Sequence, residues 1–239
     1  MSGHSKWSTI KRKKGAADAK RGAVFTRLSK DITLAAKEGG GNQEMNPSLR
    51  LAIKKAKSAN MPAANIDRAI KKGTGDLPGI KFENCIYEGY GPFSVAILIE
   101  VMTDNKNRTF PEIRNIMSKN NGNLGASGCV DWMFEKKGTI IIKNDSILED
   151  KLMTLIDDLD IEDINFEDSY YEIFVKPDFF SEITDVLEKN DVLFDGEISL
   201  VPSHTVKIKD NEAQKIISLL ELLDNHDDVQ KVHSNFEIS

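Results

Sequence analysis

Residues 137–203 carry the pattern that most restricts the fold of this 239-residue chain. Within them, short apolar stretches and helical periodicities follow one another as strand, helix, strand, strand, helix, strand. Two split strand–helix–strand units of this kind predict a ferredoxin-like domain. The strands are expected near 139–143, 161–167, 170–176 and 197–202, and the helices near 146–159 and 178–190.

Residues 2–15 have few apolar residues and are predicted to form a mobile arm, whereas the segment from residue 18 to residue 73 has the apolar spacing of helices. One amphipathic helix is predicted between residues 18 and 37, and Asn46 followed by Pro47 is a cap and first-turn pair that opens a second. A third is expected to begin near Pro62 and to end at Gly73. Three short helices that share a small core are therefore predicted.

A linker at 74–79 is followed by a change to the strand period, which predicts strands at 85–90 and 95–101 around a tight turn. Thr109 and Glu112 have the spacing of a capping box, which predicts that a helix begins there. Residues 129–134 are expected to form a further strand.

The last 36 residues predict a strand, a helix and a final strand, which are too few to fold alone. They are best explained as the remainder of the sheet that begins at residue 85. The predicted fold class is therefore α+β and multidomain: a basic helical domain with an N-terminal arm (1–75), a middle α+β domain (76–136 plus 204–239) and an inserted, acidic ferredoxin-like domain (137–203).

Charge is divided unevenly along the chain. Through residue 75 there are 17 Lys and Arg against 5 Asp and Glu, and from residue 76 onward there are 15 against 33, although the net charge is only −6. Such segregation indicates a polyanion-binding module joined to a body that polyanions avoid, and nucleic acid is favoured over a membrane surface as the polyanion.

The arm and the basic helical faces are the candidate contact surface. Lys and Arg side chains neutralise phosphates with little sequence discrimination, and the arm's tryptophan can stack on an unpaired base. A merely solvated basic face is the alternative reading. The candidate nucleic-acid-binding residues are Lys6, Trp7, Lys11, Arg12, Lys13, Lys14, Lys20, Arg21, Arg27, Lys30, Lys37, Lys54 and Lys57.

Catalytic and metal chemistry have little support in the sequence. The glycine-rich segment 121–128 leads into a predicted strand and lacks the Lys-Ser or Lys-Thr of a phosphate loop, so it is interpreted as a turn. Cys85 and Cys129 form no CxxC pair, and the acidic clusters lack a calcium-loop pattern. The histidines fall in separate predicted elements without a nucleophile signature: His4, His204, His226 and His233. No catalytic residue, metal or cofactor is therefore expected.

Two familiar modes of nucleic-acid recognition are also disfavoured. Residues 137–203 hold 5 basic against 18 acidic residues, and the first predicted strand has no aromatic on which a base could stack, so this domain is a poor RNA platform. No helix-turn-helix reading head is recognisable in the basic segment. Sequence-specific DNA reading is not indicated by the residues themselves.

Short motifs spread over the whole chain resemble the YebC/PmpR family. The motifs are GHSKW (3–7), DAKRG (18–22), FTRL (25–28), NMP (60–62), YEGYGP (87–92), TDNKNRT (103–109), GNLG (122–125), FEKKG (134–138) and DDVQKVHSNF (227–236). The chain departs from the family pattern at Cys129 and Trp132, and at Phe93 and Ser94, where the family usually has glycines.

The resemblance implies a three-domain, non-enzymatic regulator of gene expression. Family members are described as cytoplasmic DNA-binding transcriptional regulators, whereas others act on translation, including a mitochondrial translational activator and bacterial members that relieve ribosome stalls at proline-rich sequences. The expected partner is DNA or ribosomal RNA, with the ribosome as an alternative; no membrane is expected, and the protein is expected to be a cytoplasmic monomer. A small-molecule enzyme is the alternative of another class.

Overall fold

The computed structural model describes residues 19–77, 82–166 and 169–238, without the side chains of residues 19–23. The fold is α+β and multidomain, as predicted. Within these ranges it contains three helices in the N-terminal part, a middle sheet with two covering helices, and a second four-stranded sheet with two helices of its own.

The N-terminal helices are α1 (Ala19–Gly39), α2 (Pro47–Ser58) and α3 (Ala63–Thr74). Asn46 caps α2 as predicted, because its side-chain oxygen accepts the Leu49 N–H at 3.0 Å while its amide nitrogen donates to the Ala35 and Gly40 carbonyls. The shared core includes Ile32 and Leu49, both inaccessible to solvent, and each such burial is worth about 1.5–3 kcal/mol.

The predicted end of α3 at Gly73 is wrong, because the helix runs through it to Thr74. A Cβ at Gly73 would lie 2.4 Å from the Thr33 carbonyl oxygen, so this glycine permits the close approach of α1 and α3. The stop is instead Gly75, whose φ of +86° makes it the left-handed residue that ends the helix.

The middle sheet has the strand order β3-β1-β2-β9, built from β1 (Glu83–Tyr90), β2 (Ala96–Thr103), β3 (Asn123–Leu124) and β9 (Val229–Ser234). β1 and β2 pair antiparallel from Glu83↔Thr103 to Tyr90↔Ala96, and β9 lies antiparallel to the other edge of β2. One face is covered by α4 (Lys106–Lys119) and α7 (Asp210–Asp224). A short parallel pair, β8 (Val206–Ile208) and β10 (Phe236–Ile238), completes this part.

The predicted capping box at Thr109 is wrong, since α4 begins three residues earlier. Asn105 is the residue before its first turn and accepts the Arg108 N–H, whereas Thr109 lies inside the helix and is buried. Thr109 donates its hydroxyl to Asp228 at 2.7 Å, so the residue serves a tertiary contact and not a cap.

The predicted strand at 129–134 is also wrong except for its last residue. Asp131–Met133 is a single 3-10 turn, and the loop before it is fixed by the buried carboxylate of Glu88. That carboxylate accepts the N–H groups of Gly128, Val130 and Asp131 at 2.7–2.9 Å, so these groups are not available for a sheet ladder.

The second sheet is ferredoxin-like, with the order β5-β6-β4-β7 and all neighbours antiparallel. Its strands are β4 (Phe134–Lys143), β5 (Asp163–Phe166), β6 (Tyr170–Val175) and β7 (Phe194–Pro202), and its helices are α5 (Glu149–Ile156) and α6 (Phe180–Lys189). β4 and β7 pair from Phe134↔Pro202 to Ile142↔Phe194, so the chain enters and leaves this domain side by side.

Candidate nucleic-acid interface

Exposed cations lie on α2, on α3 and at the end of α1. Of the predicted contact residues, Lys37, Lys54 and Lys57 are exposed. Lys54 reaches Glu188 of α6 at 3.6 Å, but both side chains are largely in solvent, which makes the pair weak. On α3, a further exposed group was not among the predicted contact residues: Arg68, Lys71 and Lys72.

The predicted arm falls outside the described residues. This applies to Lys6, Trp7, Lys11, Arg12, Lys13 and Lys14. Lys20 and Arg21 lie on α1, but their side chains are outside the described part as well. Contact between these residues and nucleic acid therefore stays a prediction.

Lys30 does not project from an outer basic face, which corrects the expectation for this residue. It is 6% exposed, and its ammonium donates to the Met102 carbonyl at 3.1 Å, the Asp227 carbonyl at 2.8 Å and the Asp228 carboxylate at 2.7 Å. All three of its N–H bonds are thereby used. Its position within α1 faces the middle domain, so Lys30 joins the two domains.

Arg27 lies one turn before Lys30 and faces the same way. Its guanidinium reaches Asp224, at the end of α7, at 3.3 Å, and both side chains are mostly buried. Like Lys30, Arg27 is engaged with the acidic part of the chain instead of standing on the open surface.

Asp228 is the centre of this domain joint. One carboxylate oxygen accepts from Lys30, and the other accepts from Arg108 at 2.6 Å, Thr109 at 2.7 Å and Thr103 at 3.2 Å. Three separate segments therefore meet at one buried side chain: α1, the β2–α4 connection and the start of β9. We call these five residues the Asp228 cluster.

The environment of Asp228 favours its charged form. Burial by itself would raise the pKa of the carboxyl, but the hydrogen bonds from Lys30, Thr109 and Arg108 outweigh burial and hold the pKa of Asp228 far below its ordinary value. Asp228 is therefore a carboxylate at neutral pH, and the charges of the joint are compensated.

A cleft of about 740 Å³ opens beside the Asp228 cluster, between α1 and α4. His226 stands in it with Nδ1 accepting the Asp228 N–H at 3.1 Å, which leaves Nε2 to carry the proton toward Glu112 at 3.1 Å. Two bases and four acids are among the described residues that line the cleft: Lys30, Arg108, Asp104, Glu112, Asp227 and Asp228. Because the two signs are mixed, the cleft as a whole is not an anion site.

A second contact joins the middle sheet to the inserted domain. Lys231 of β9 reaches Glu197 of β7 at 2.8 Å, and the buried His233 lies 2.6 Å from Glu100 and 3.1 Å from the Leu200 carbonyl oxygen. The pKa of Glu100 is lowered mainly by its hydrogen bond with His233. Side chains of β9 therefore bridge the two sheets.

Neither a metal site nor a membrane-spanning helix is found among the described residues. Nowhere in residues 19–77, 82–166 and 169–238 do three or more His, Cys, Asp or Glu side chains come together as a metal site would require. Over the same part of the chain, no helix has the length and apolarity needed to cross a membrane. Cys85 and Cys129 are free, half-buried thiols.

Sequence reasoning missed the Asp228 cluster, although four of its five members fall in two of the motifs that carry the family resemblance. Thr103, Arg108 and Thr109 belong to the motif at 103–109, and Asp228 to the motif at 227–236. Polar residues in two such motifs were a signal that the segments meet, but neither motif indicates Lys30 as their partner.

Comparisons with known proteins cover nearly the entire chain. The family model described as TACO1/YebC protein N-terminal domain matches residues 5–76, and the model described as TACO1/YebC second and third domain matches residues 82–236. Proteins named probable transcriptional regulatory protein from Dictyoglomus turgidum and Syntrophus aciditrophicus are 51% and 53% identical over 240 residues, which cover 100% of this chain and 96% of each relative.

A solved structure shares the fold of this chain. The crystal structure of a conserved hypothetical protein from Aquifex aeolicus superposes with a TM-score of 0.84 at 44% identity, covering 95% of this chain and 94% of that one.

Proposed function

The chain belongs to the TACO1/YebC family, and from that premise we propose that it is a nucleic-acid-binding regulator of gene expression, of the transcriptional type that its relatives' names describe. The proposal includes no catalytic step and no cofactor. It assigns nucleic-acid contact to the N-terminal arm and to the open faces of the helices.

The division of charge is the observation that carries the proposal. With 17 basic against 5 acidic residues through residue 75 and 15 against 33 beyond it, only the N-terminal part attracts a polyanion. Lys30 pairs with Asp228 and Arg27 with Asp224, which leaves Lys37 at the end of α1 and the cations of α2 and α3 as the exposed helical set of the described N-terminal part. The acidic domains repel the nucleic acid and so set which side of the protein it approaches.

Contacts of this kind give affinity without sequence discrimination. When Lys and Arg contact phosphates, the counterions of the nucleic acid are released. Each contact adds ~0.7 to 0.9 to the magnitude of the slope of log affinity against log salt. Replacing Lys11, Arg12, Lys13 and Lys14 by Ala therefore lowers the slope by about 3 if all four contact phosphate.

The control removes the same charge from the acidic body. Lys143, Lys151, Lys176 and Lys189 are exposed, and their joint replacement by Ala also removes four positive charges. We expect this variant to keep the slope of the wild-type protein. Equal slopes in the arm variant and the wild type would exclude the arm as the contact.

The ribosome is the alternative partner within the same proposal, because phosphate contacts by a basic arm suit structured RNA as well as DNA. Crosslinking in cells followed by sequencing of the bound nucleic acid decides between them. Enrichment of promoter DNA supports transcription, and recovery of ribosomal RNA supports translation; loss of either in the arm variant links the signal to the arm. We further propose that the protein acts in the cytoplasm and that it is a monomer. Size-exclusion chromatography with light scattering measures the molar mass and so tests the monomer.

A further inference from the structure

A second cavity, of about 330 Å³, lies between α1 and α3 next to the larger cleft. Phe25 and Ser29 line it from α1, and Phe82 closes the side toward the middle domain. Asn65, Arg68 and Lys72 line it from α3. None of these six residues is among the predicted contacts. Lys30 is a predicted contact that also lines the cavity, but its ammonium is held at the domain joint.

Among the described residues, the two α3 cations of this cavity have no acidic partner, unlike the cations of the neighbouring cleft. Arg68 and Lys72 are four residues apart on α3 and therefore share one face of the helix. Both are exposed, and neither has a hydrogen bond or ion pair within the described part of the chain. No Asp or Glu is among the described residues that line the cavity. A guanidinium and an ammonium on one helix face both supply donors for a phosphate.

Aromatic rings stand beside this cationic pair. Phe25 and Phe82 are half-buried, and the ring centroid of Phe82 lies 5.6 Å from the Lys30 ammonium, which places that ring beside the domain joint. The combination of phosphate-binding cations with aromatic faces is typical of proteins that hold unpaired bases. The volume is at the lower end of the ~300 to 1,000 Å³ found for small-ligand pockets.

We propose that this cavity binds one unpaired nucleotide of a single-stranded DNA or RNA, with the phosphate at Arg68 and Lys72 and the base against Phe25 and Phe82. The inference rests on the proposed function and names the form of nucleic acid that the helical domain selects. A duplex keeps its bases stacked inside and offers none to the cavity, so single strands or unpaired ends are preferred.

The first test compares two adjacent lysines of α3. Lys72 lines the cavity and Lys71 does not, although both are exposed and carry the same charge. Binding is measured by fluorescence anisotropy with labelled single-stranded DNA, single-stranded RNA and the matching DNA duplex. For single strands, Lys72→Ala weakens binding about tenfold and lowers the salt slope by ~0.7. Lys71→Ala removes one charge from the open face of α3 and weakens binding to single strands and to the duplex by the same factor, less than threefold.

The second test removes the aromatic face. Phe82→Ala loses about tenfold in affinity for a single strand, as expected for one stacked base, and leaves duplex affinity unchanged. Phe82→Tyr retains the single-strand affinity of the wild-type protein, because the aromatic ring is kept. Circular dichroism and thermal unfolding of each variant show that the fold is retained.

The outcomes separate this inference from the proposed function. Equal losses in Lys71→Ala and Lys72→Ala, or equal losses of duplex and single-strand binding in Phe82→Ala, overturn the cavity as a site. If the arm variant loses binding while the cavity variants keep it, only the cavity inference fails. If the wild-type protein binds none of the three probes, the proposed function fails as well. Losses restricted to RNA or to DNA support the cavity and identify which strand it takes.

Discussion

Replacing Asp228 by Asn perturbs the domain joint at a buried carboxylate that accepts four hydrogen bonds. An amide has one oxygen and one NH₂ group, so its nitrogen must face either the Lys30 ammonium or the donors Arg108, Thr109 and Thr103. Donor then meets donor, and a buried cation loses its counter-charge. Removing one partner of a buried ion pair costs about 3–5 kcal/mol, which is the loss expected here.

Urea unfolding followed by far-ultraviolet circular dichroism measures this loss, with Asp227→Asn as the control. Asp227 is exposed, and Lys30 contacts only its backbone carbonyl, so its variant should stay within ~0.5 kcal/mol of the wild type. The reasoning is refuted if the two variants lose equal stability.

Acid titration gives an independent check of the same reasoning. Because the folded-state pKa of Asp228 is depressed, its contribution is present above its unfolded pKa of ~3.9 and is lost as the pH falls through the folded value. The stability difference between wild type and Asp228→Asn should therefore be constant near neutral pH and shrink below pH ~4. A difference that does not change with pH would mean that charge is not the cause.

Three further changes test local features of the fold by urea unfolding. Ser94→Gly should stabilise by about 0.5–1 kcal/mol, because φ at Ser94 is +61° and relief of left-handed strain exceeds the entropy that glycine costs; Ser94→Ala, which keeps the strain, should not. Glu88→Gln should destabilise by about 1–3 kcal/mol, since the carboxylate accepts three backbone N–H groups. Those bonds hold the pKa of Glu88 below its ordinary value against the opposing effect of burial, so the loss should shrink below pH ~4.3. Asn46→Ala should cost about 1–2 kcal/mol, and an unchanged midpoint would mean that the cap is not needed.

Features set by local chemistry could be predicted from the sequence. Asn46 before Pro47 satisfies the first N–H groups of a helix whatever else the chain does, and the strand–helix order of residues 137–203 follows from apolar spacing. The fold class followed from these patterns because each one is complete within a few tens of residues.

Features set by distant partners could not be predicted. The residues of α1 show that one side of the helix is apolar and the other basic, but not that the basic side at Lys30 would be covered by another domain. The same holds for Thr109. Its local sequence resembles a capping box, but its hydroxyl donates to Asp228, which lies 119 residues away. Residue type alone does not distinguish a solvated cation from one held by a distant carboxylate.

The bond between Lys30 and Asp228 spans 198 positions of a 239-residue chain, which has a consequence for synthesis. A polypeptide emerges from its amino end, and domains fold as they appear. The helical domain is therefore complete long before Asp228, whose carboxylate pairs with Lys30 of α1, has been synthesised. During that interval Lys30 and Arg27 add to the positive surface, so the nascent protein presents a more cationic helical domain than the finished one. A chain that stops before residue 224 would keep that surface permanently.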